Sequence, residues 1–168
     1  MATTTISYSS ATTITISPAS TATSSTWVAG RESNEIDNTS NKYDDVFVQG
    51  KTTVGSTITS GTLILIFVWG SDTSAATTNL DVIDGVDSAE TLTSAGVRDG
   101  FMKLGAVVNV DSTTANRTYW WGPFSIADLF GQVPKYWGLF EAQNTGDNLN
   151  STAGNHAATY TGIKFDTA

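Results

Sequence analysis

Thr62-Leu63-Ile64-Leu65-Ile66-Phe67-Val68-Trp69-Gly70 carries seven large apolar residues in succession, from Leu63 to Trp69. The run is too short to cross a bilayer, which takes about 20 apolar residues. Glycines bracket it at Gly61 and Gly70, and its composition reads as a strand buried on both faces. The other strand candidates alternate apolar residues with Thr or Ser, so each has one face to bury. They are the layers that cover the apolar run.

Downstream, Ser71 to Asp99 is long and polar, interrupted by Leu80-Asp81-Val82-Ile83 and Glu90-Thr91-Leu92. A connection of this length inside a compact domain has a task or hides short strands. Phe101 to Val110 reads as a strand with Leu104, Ala106, Val108 and Val110 on one face and Gly105, Val107 and Asn109 on the other. Arg117 to Phe124 reads as another, on which alternation turns Trp120 and Phe124 inward and Tyr119 and Trp121 outward. Ser125 to Gly131 then looks like one helical turn, capped by Ser125 and closed by Gly131. Tyr136 to Gln143 and His156 to Phe165 are further strands, separated by a turn at Asn144 to Asn148.

Upstream, Val46-Phe47-Val48 and Thr53-Val54 make two strands or one bulged strand. The charged segment from Trp27 to Tyr43, with Arg31, Glu32, Glu35, Asp37 and Lys42, reads as a solvated loop or short helix. Thr13-Ile14-Thr15-Ile16, closed by Ser17-Pro18, suits an edge strand or an assembly arm. About eight strands, one helical turn and no long amphipathic helix imply an all-β chain. The expected fold is a β-sandwich of jelly-roll type, with residues 1–26 as an N-terminal arm or edge strand and residues 27–168 as a single domain.

Composition narrows the chemistry. Of 168 residues, 39% are apolar and only 14% charged, a balance suited to sheets faced with hydroxyls. The formal net charge is −8 and the eight Lys and Arg residues are scattered, so a nucleic-acid backbone would be repelled. There is no cysteine, which excludes disulfides and thiolate metal sites. His156 is the single histidine. It cannot supply a zinc ligand set, and no Gly-x-Ser-x-Gly turn presents a nucleophile to it, so it reads as a structural or surface residue. The N-terminus has neither the basic nor the apolar region of a secretory signal, and no stretch is long enough for a transmembrane helix, so the product is expected to be cytosolic when made.

Asp81, Asp84, Asp87 and Glu90, with Gly85 among them, are calcium candidates by chemistry, but their spacing is every third residue rather than that of an EF-hand. Solvated loop carboxylates are the default reading, no local motif selects a glycosidase pair, and no cofactor is expected. Tyr119, Trp120, Trp121, Phe124, Tyr136 and Trp137 suit either core packing or a sugar-stacking platform. Ile14 and Ile16 on the arm, and Tyr119 and Trp121 on the outward face, are the candidate interface residues.

Several stretches taken together resemble one family of uncharacterised structural proteins from tailed bacteriophages. They include Gly30-Arg31-Glu32-Ser33, residues 37–43, Gly50 to Gly55, Asp84 to Thr91, Gly96-Val97-Arg98-Asp99, Tyr119 to Phe124, Pro134 to Gly138, Asn144-Thr145-Gly146 and Gly154-Asn155-His156. They follow one another along nearly the whole chain. The resemblance implies a virion protein without catalytic residues, working in assembly. The expected role is capsid decoration, a cement protein on the major capsid protein shell, as a homo-oligomer and most naturally a trimer. It would sit on the capsid exterior after a period in the host cytoplasm during assembly. The alternatives are a tail or fibre component touching the host surface and a carbohydrate-binding module.

Overall fold

A computed structural model describes residues 3–77 and 80–167. In chain order the strands are β1 (Thr4–Tyr8), β2 (Thr12–Ile14), β3 (Ala29–Glu32), β4 (Ile36–Asp37), β5 (Asp45–Thr53), β6 (Thr62–Ser71), β7 (Ala89–Thr91), β8 (Met102–Val110), β9 (Thr118–Ser125), β10 (Tyr136–Gln143) and β11 (Ala157–Thr167). Two short helices, α1 (Ala95–Phe101) and α2 (Ile126–Phe130), complete the regular structure apart from two 3-10 turns.

The first sheet has the order β1-β11-β5-β9, with β2 also on β11, and the second the order β7-β3-β10-β6-β8, with β4 also on β10. Every pairing is antiparallel, and the main pairs are nested. The first strands lie on the last, β3 and β4 lie on β10, β5 lies on β9, and β6 lies on β8. A ribbon folded back on itself and wrapped into two sheets gives this order, which is that of a jelly roll.

The core between the sheets takes one face of each. Val46 and Val48 come from β5, Ile64, Ile66 and Val68 from β6, Tyr119 and Trp121 from β9, Trp137 and Leu139 from β10, and Ala158 from β11. The apolar run has its second face buried as well. Leu65, Phe67 and Trp69 point away from the sandwich and pack with Met102, Phe140, Ala142, Ala75, Ile83 and Leu92. The last three belong to the connection between β6 and β8, two adjacent strands that a short hairpin would have served. The chain instead crosses the outer face of the second sheet, adds β7 at its far edge against β3, and returns through α1. This is the task of the long polar stretch: it roofs the apolar strand.

Carboxylates from the segment read as a solvated loop fasten that roof. Glu32 is fully buried and accepts hydrogen bonds from the backbone N–H of Asp84 (3.3 Å) and Gly85 (2.7 Å). Glu35 accepts from Ser74 Oγ (2.9 Å) and the Ala75 N–H (2.6 Å). Arg31 forms an ion pair with Asp87 at 2.6 Å. Arg98 of α1 lies 4.7 Å over the Phe67 ring and donates to the carbonyls of Thr26 and Trp27. The charged segment therefore contains two short strands, β3 and β4, and buried anchors, joined by irregular chain, rather than being a wholly solvated loop or a helix.

The predicted helical turn is present. Ser125 Oγ accepts from the Asp128 N–H at 3.0 Å, and Gly131 closes the helix in the left-handed region at φ 81°. Strand parity departs from simple alternation at two bulges. On β8 the register slips between Ile66 and Phe67, leaving Gly105 as the extra residue and turning Leu104 to the outer face, away from Ala106. On β9 it slips between Val48 and Gly50, with Val48 opposite Phe124 and Gly50 opposite Trp121. Gly122 and Pro123, joined by a cis peptide, stand opposite the single residue Gln49, one residue in surplus. Trp121 and Phe124 therefore both face inward, with ring centroids 6.3 Å apart.

Candidate binding surface

The second sheet is roofed by its own chain except along β8, where Leu104 and Val107 stay exposed; the outer face of the first sheet is open apart from the buried Ile163. Its side chains come from alternate positions of paired strands: Ile6 and Tyr8 from β1, Phe47, Gln49 and Lys51 from β5, Trp120 from β9, and Thr159, Thr161 and Phe165 from β11. Among the described residues nine large apolar side chains are exposed, and five of them (Ile6, Tyr8, Phe47, Trp120 and Phe165) lie on this face. Nonpolar surface so concentrated makes this face the candidate contact site.

One end of the face is a two-stranded ribbon. Thr4 to Tyr8 pair with Ile163 to Thr167 beyond the last β5 partner, Asp45 opposite Ile163. Ile6 lies opposite Phe165, and Tyr8 opposite Ile163. The other end is a cavity of about 220 Å³ lined by Gln49, Gly50, Lys51, Trp120, Gly122 and Thr159, among others. Trp120 is 76% exposed, and Lys51 Nζ sits 5.9 Å from its ring centroid.

The two most perturbed carboxyl groups are committed to the interior. Burial pushes Glu141 up to about 7, against the lowering effect of a hydrogen bond from Thr52 Oγ1 at 2.9 Å. Thr52 Oγ1 in turn accepts from Trp121 Nε1 at 3.1 Å, so Glu141 ends a polar chain sealed between the sheets. Burial likewise pushes Glu32 up to about 7, opposed by the Gly85 and Asp84 N–H groups. His156 is buried and its pKa is lowered, first by that burial. Its Nε2 lies 2.9 Å from the Asn150 carbonyl and its Nδ1 faces the Thr53 N–H, a pattern that fits the neutral ring protonated at Nε2. These groups hold the fold together, and no substrate reaches Glu141.

The calcium candidates are dispersed by the structure. Asp81 accepts from the Thr93 N–H and Oγ1, Asp84 from the Val86 N–H, Asp87 from Arg31 and the Ser17 N–H, and Glu90 from Ser88 Oγ. Among the described residues no three His, Cys, Asp or Glu side chains gather as a metal site. Three of the four interface candidates are corrected. Ile14 is in the inter-sheet core opposite Ala158, and Tyr119 and Trp121 are buried there through the β9 bulge. Ile16 is half-buried against the same core. Trp120, predicted to point inward, is the outward residue. The Gly122-Pro123 dipeptide was the available sign that alternation breaks on this strand.

Comparison with protein-family models, with curated proteins and with solved structures gave no match in any of the three.

Proposed function

We propose that the chain is a non-enzymatic virion structural protein, a capsid decoration protein that binds the shell of the major capsid protein as a homo-oligomer, with a trimer at local symmetry axes as the natural arrangement. Its place is the capsid exterior, reached from the host cytoplasm during assembly. The observation that carries this reading is the asymmetry of the two outer faces. The chain devotes the whole connection between β6 and β8 to roofing one sheet and leaves the other largely open, with exposed aromatic and aliphatic side chains. The terminal ribbon is the part that most needs a partner, since an isolated two-stranded ribbon is marginal in water. It offers Ile6, Tyr8 and Phe165 to a neighbouring subunit or to the shell. The resemblance to tailed-phage structural proteins along the chain supports the same conclusion. A jelly roll by itself does not, because that architecture hosts many functions.

The test is reconstitution. Shells assembled without the protein are incubated with the purified chain, sedimented and imaged by electron microscopy. Saturable density on the outer shell surface is expected. Failure to co-sediment, or density on the tail instead, sinks the decoration reading.

A further inference from the structure

We propose that the cavity beside Trp120 is a binding subsite for a single pyranose residue of a glycan. Trp120 is the most exposed of the large apolar side chains, at 76%, whereas Trp69, Trp121 and Trp137 are buried. Its indole stands at the rim of a cavity of about 220 Å³. That is below the roughly 300–1,000 Å³ of sites that enclose drug-sized ligands, so the space suits one ring rather than several. The floor is low because Gly122 carries no side chain and Ala157 only a methyl, while Gly50 and Ala158 face the inter-sheet core and offer only backbone. Gly122 is held at φ 78°, and a methyl there would come 2.5 Å from the Val48 carbonyl oxygen, so this part of the floor has no room for a side chain.

The polar rim is uncommitted. The side chains of Gln49 and Thr159 make no hydrogen bond to any described residue, and Lys51 Nζ makes only a long one, 3.4 Å, to the Gly154 carbonyl. Lys51 instead lies 5.9 Å from the Trp120 centroid, where the attraction between cation and ring steadies the indole. A flat apolar face, an amide that both donates and accepts, a hydroxyl that does the same and one cation meet at a shallow opening. A pyranose has the matching chemistry: a C–H face that lies against the indole and a ring of hydroxyls that donate and accept at its edge. The lining contains no carboxylate, so neutral and acidic sugars fit and amino sugars carrying a free ammonium do not. This inference does not rest on the shell-binding reading.

The experiment follows the five indole N–H signals of the 15N-labelled full chain during titration with methyl glycosides of glucose, galactose, N-acetylglucosamine and glucuronic acid. We expect at least one glycoside to shift a single indole signal with a Kd on the order of 1 mM. Trp120→Ala should abolish the accompanying shifts of the Gly50, Gly122 and Thr159 backbone amides, and Gln49→Ala should weaken binding about tenfold. Both residues are on the surface, so thermal unfolding should be unchanged. A response to glucuronic acid alone assigns Lys51 to a carboxylate. No shift with any of the four at the solubility limit, or a shift that survives Trp120→Ala, overturns the proposal. Loss of shell binding in Trp120→Ala without any glycoside response also overturns it, in favour of a protein contact.

Discussion

The indole of Trp69 lies across Gly138, its direct partner on the neighbouring strand, so closely that a methyl group at position 138 would sit 2.5 Å from the ring carbon Cζ2. The missing side chain on β10 is what gives the largest residue of the apolar run its place. Trp69→Ala should destabilise the fold by roughly 3–5 kcal/mol, as expected on emptying a large core site. Gly138→Ala should cost about 1–3 kcal/mol by overpacking the same spot. Urea unfolding of the two variants checks both; a loss below about 1 kcal/mol for Trp69→Ala would contradict the burial described above.

Glu141 gives the protein an unusual pH dependence. Its folded-state pKa, about 7, lies above the ordinary 4.5, so the folded chain holds the proton more tightly than the unfolded one. The stabilisation is complete below pH 4.5 and is lost as pH rises toward 7, a fall of about 3 kcal/mol. Glu32, raised for the same reason, acts in the same direction. His156 opposes them, because its lowered pKa costs stability as pH falls below its ordinary 6.5. Glu141→Gln should flatten the fall between pH 4.5 and 7 and leave the His156 limb intact. Thermal midpoints measured across that range decide it, and a parallel profile in the variant would refute the assignment.

The N-terminal segment divides into two parts with different duties. Ile14 is buried opposite Ala158, and Ile14→Ala should cost about 2–5 kcal/mol. Thr4 to Tyr8 are exposed throughout. Removing residues 3–8 should leave unfolding cooperative and abolish oligomer formation or shell binding, read by analytical ultracentrifugation and co-sedimentation. An aggregated product would place the ribbon among the elements the fold requires.

Glu35 fastens the start of the roof through Ser74 and the Ala75 N–H. Glu35→Ala should speed amide exchange at Ala75 by about tenfold, corresponding to the loss of a charge-assisted hydrogen bond, while β10 amides keep their protection. Uniform acceleration across both would mean that the roof and the sandwich open together.

Much of this fold was legible in the chain. The unbroken apolar run of β6 announced two buried faces, and Ser125 and Gly131 announced the ends of α2, because each depends on local chemistry. What alternation misplaced was Leu104, Tyr119, Trp120 and Trp121, all on strands where a bulge adds one residue and reverses the parity beyond it. Arg31 and Glu32 looked like surface charge because their partners, Asp87 and the 84–85 backbone, lie more than fifty positions away. The binding surface was the least legible part. It is defined by what the crossover leaves uncovered, a property of the finished sandwich and of no single segment.

Nesting the pairs also dictates the order in which the molecule can come together. Thr5 and Asp166 meet across 161 positions, and β11 is the strand that joins β1 and β2 to β5. During synthesis β1 and β2 therefore wait without a partner until β11 emerges, while β6, β8 and β10 can already associate. The ribbon with Ile6 and Phe165 forms only once β11 has been made, so the surface we assign to assembly is absent from chains that have not yet reached that strand. Chains without β11 present no ribbon to a neighbour, and the topology itself separates folding from association.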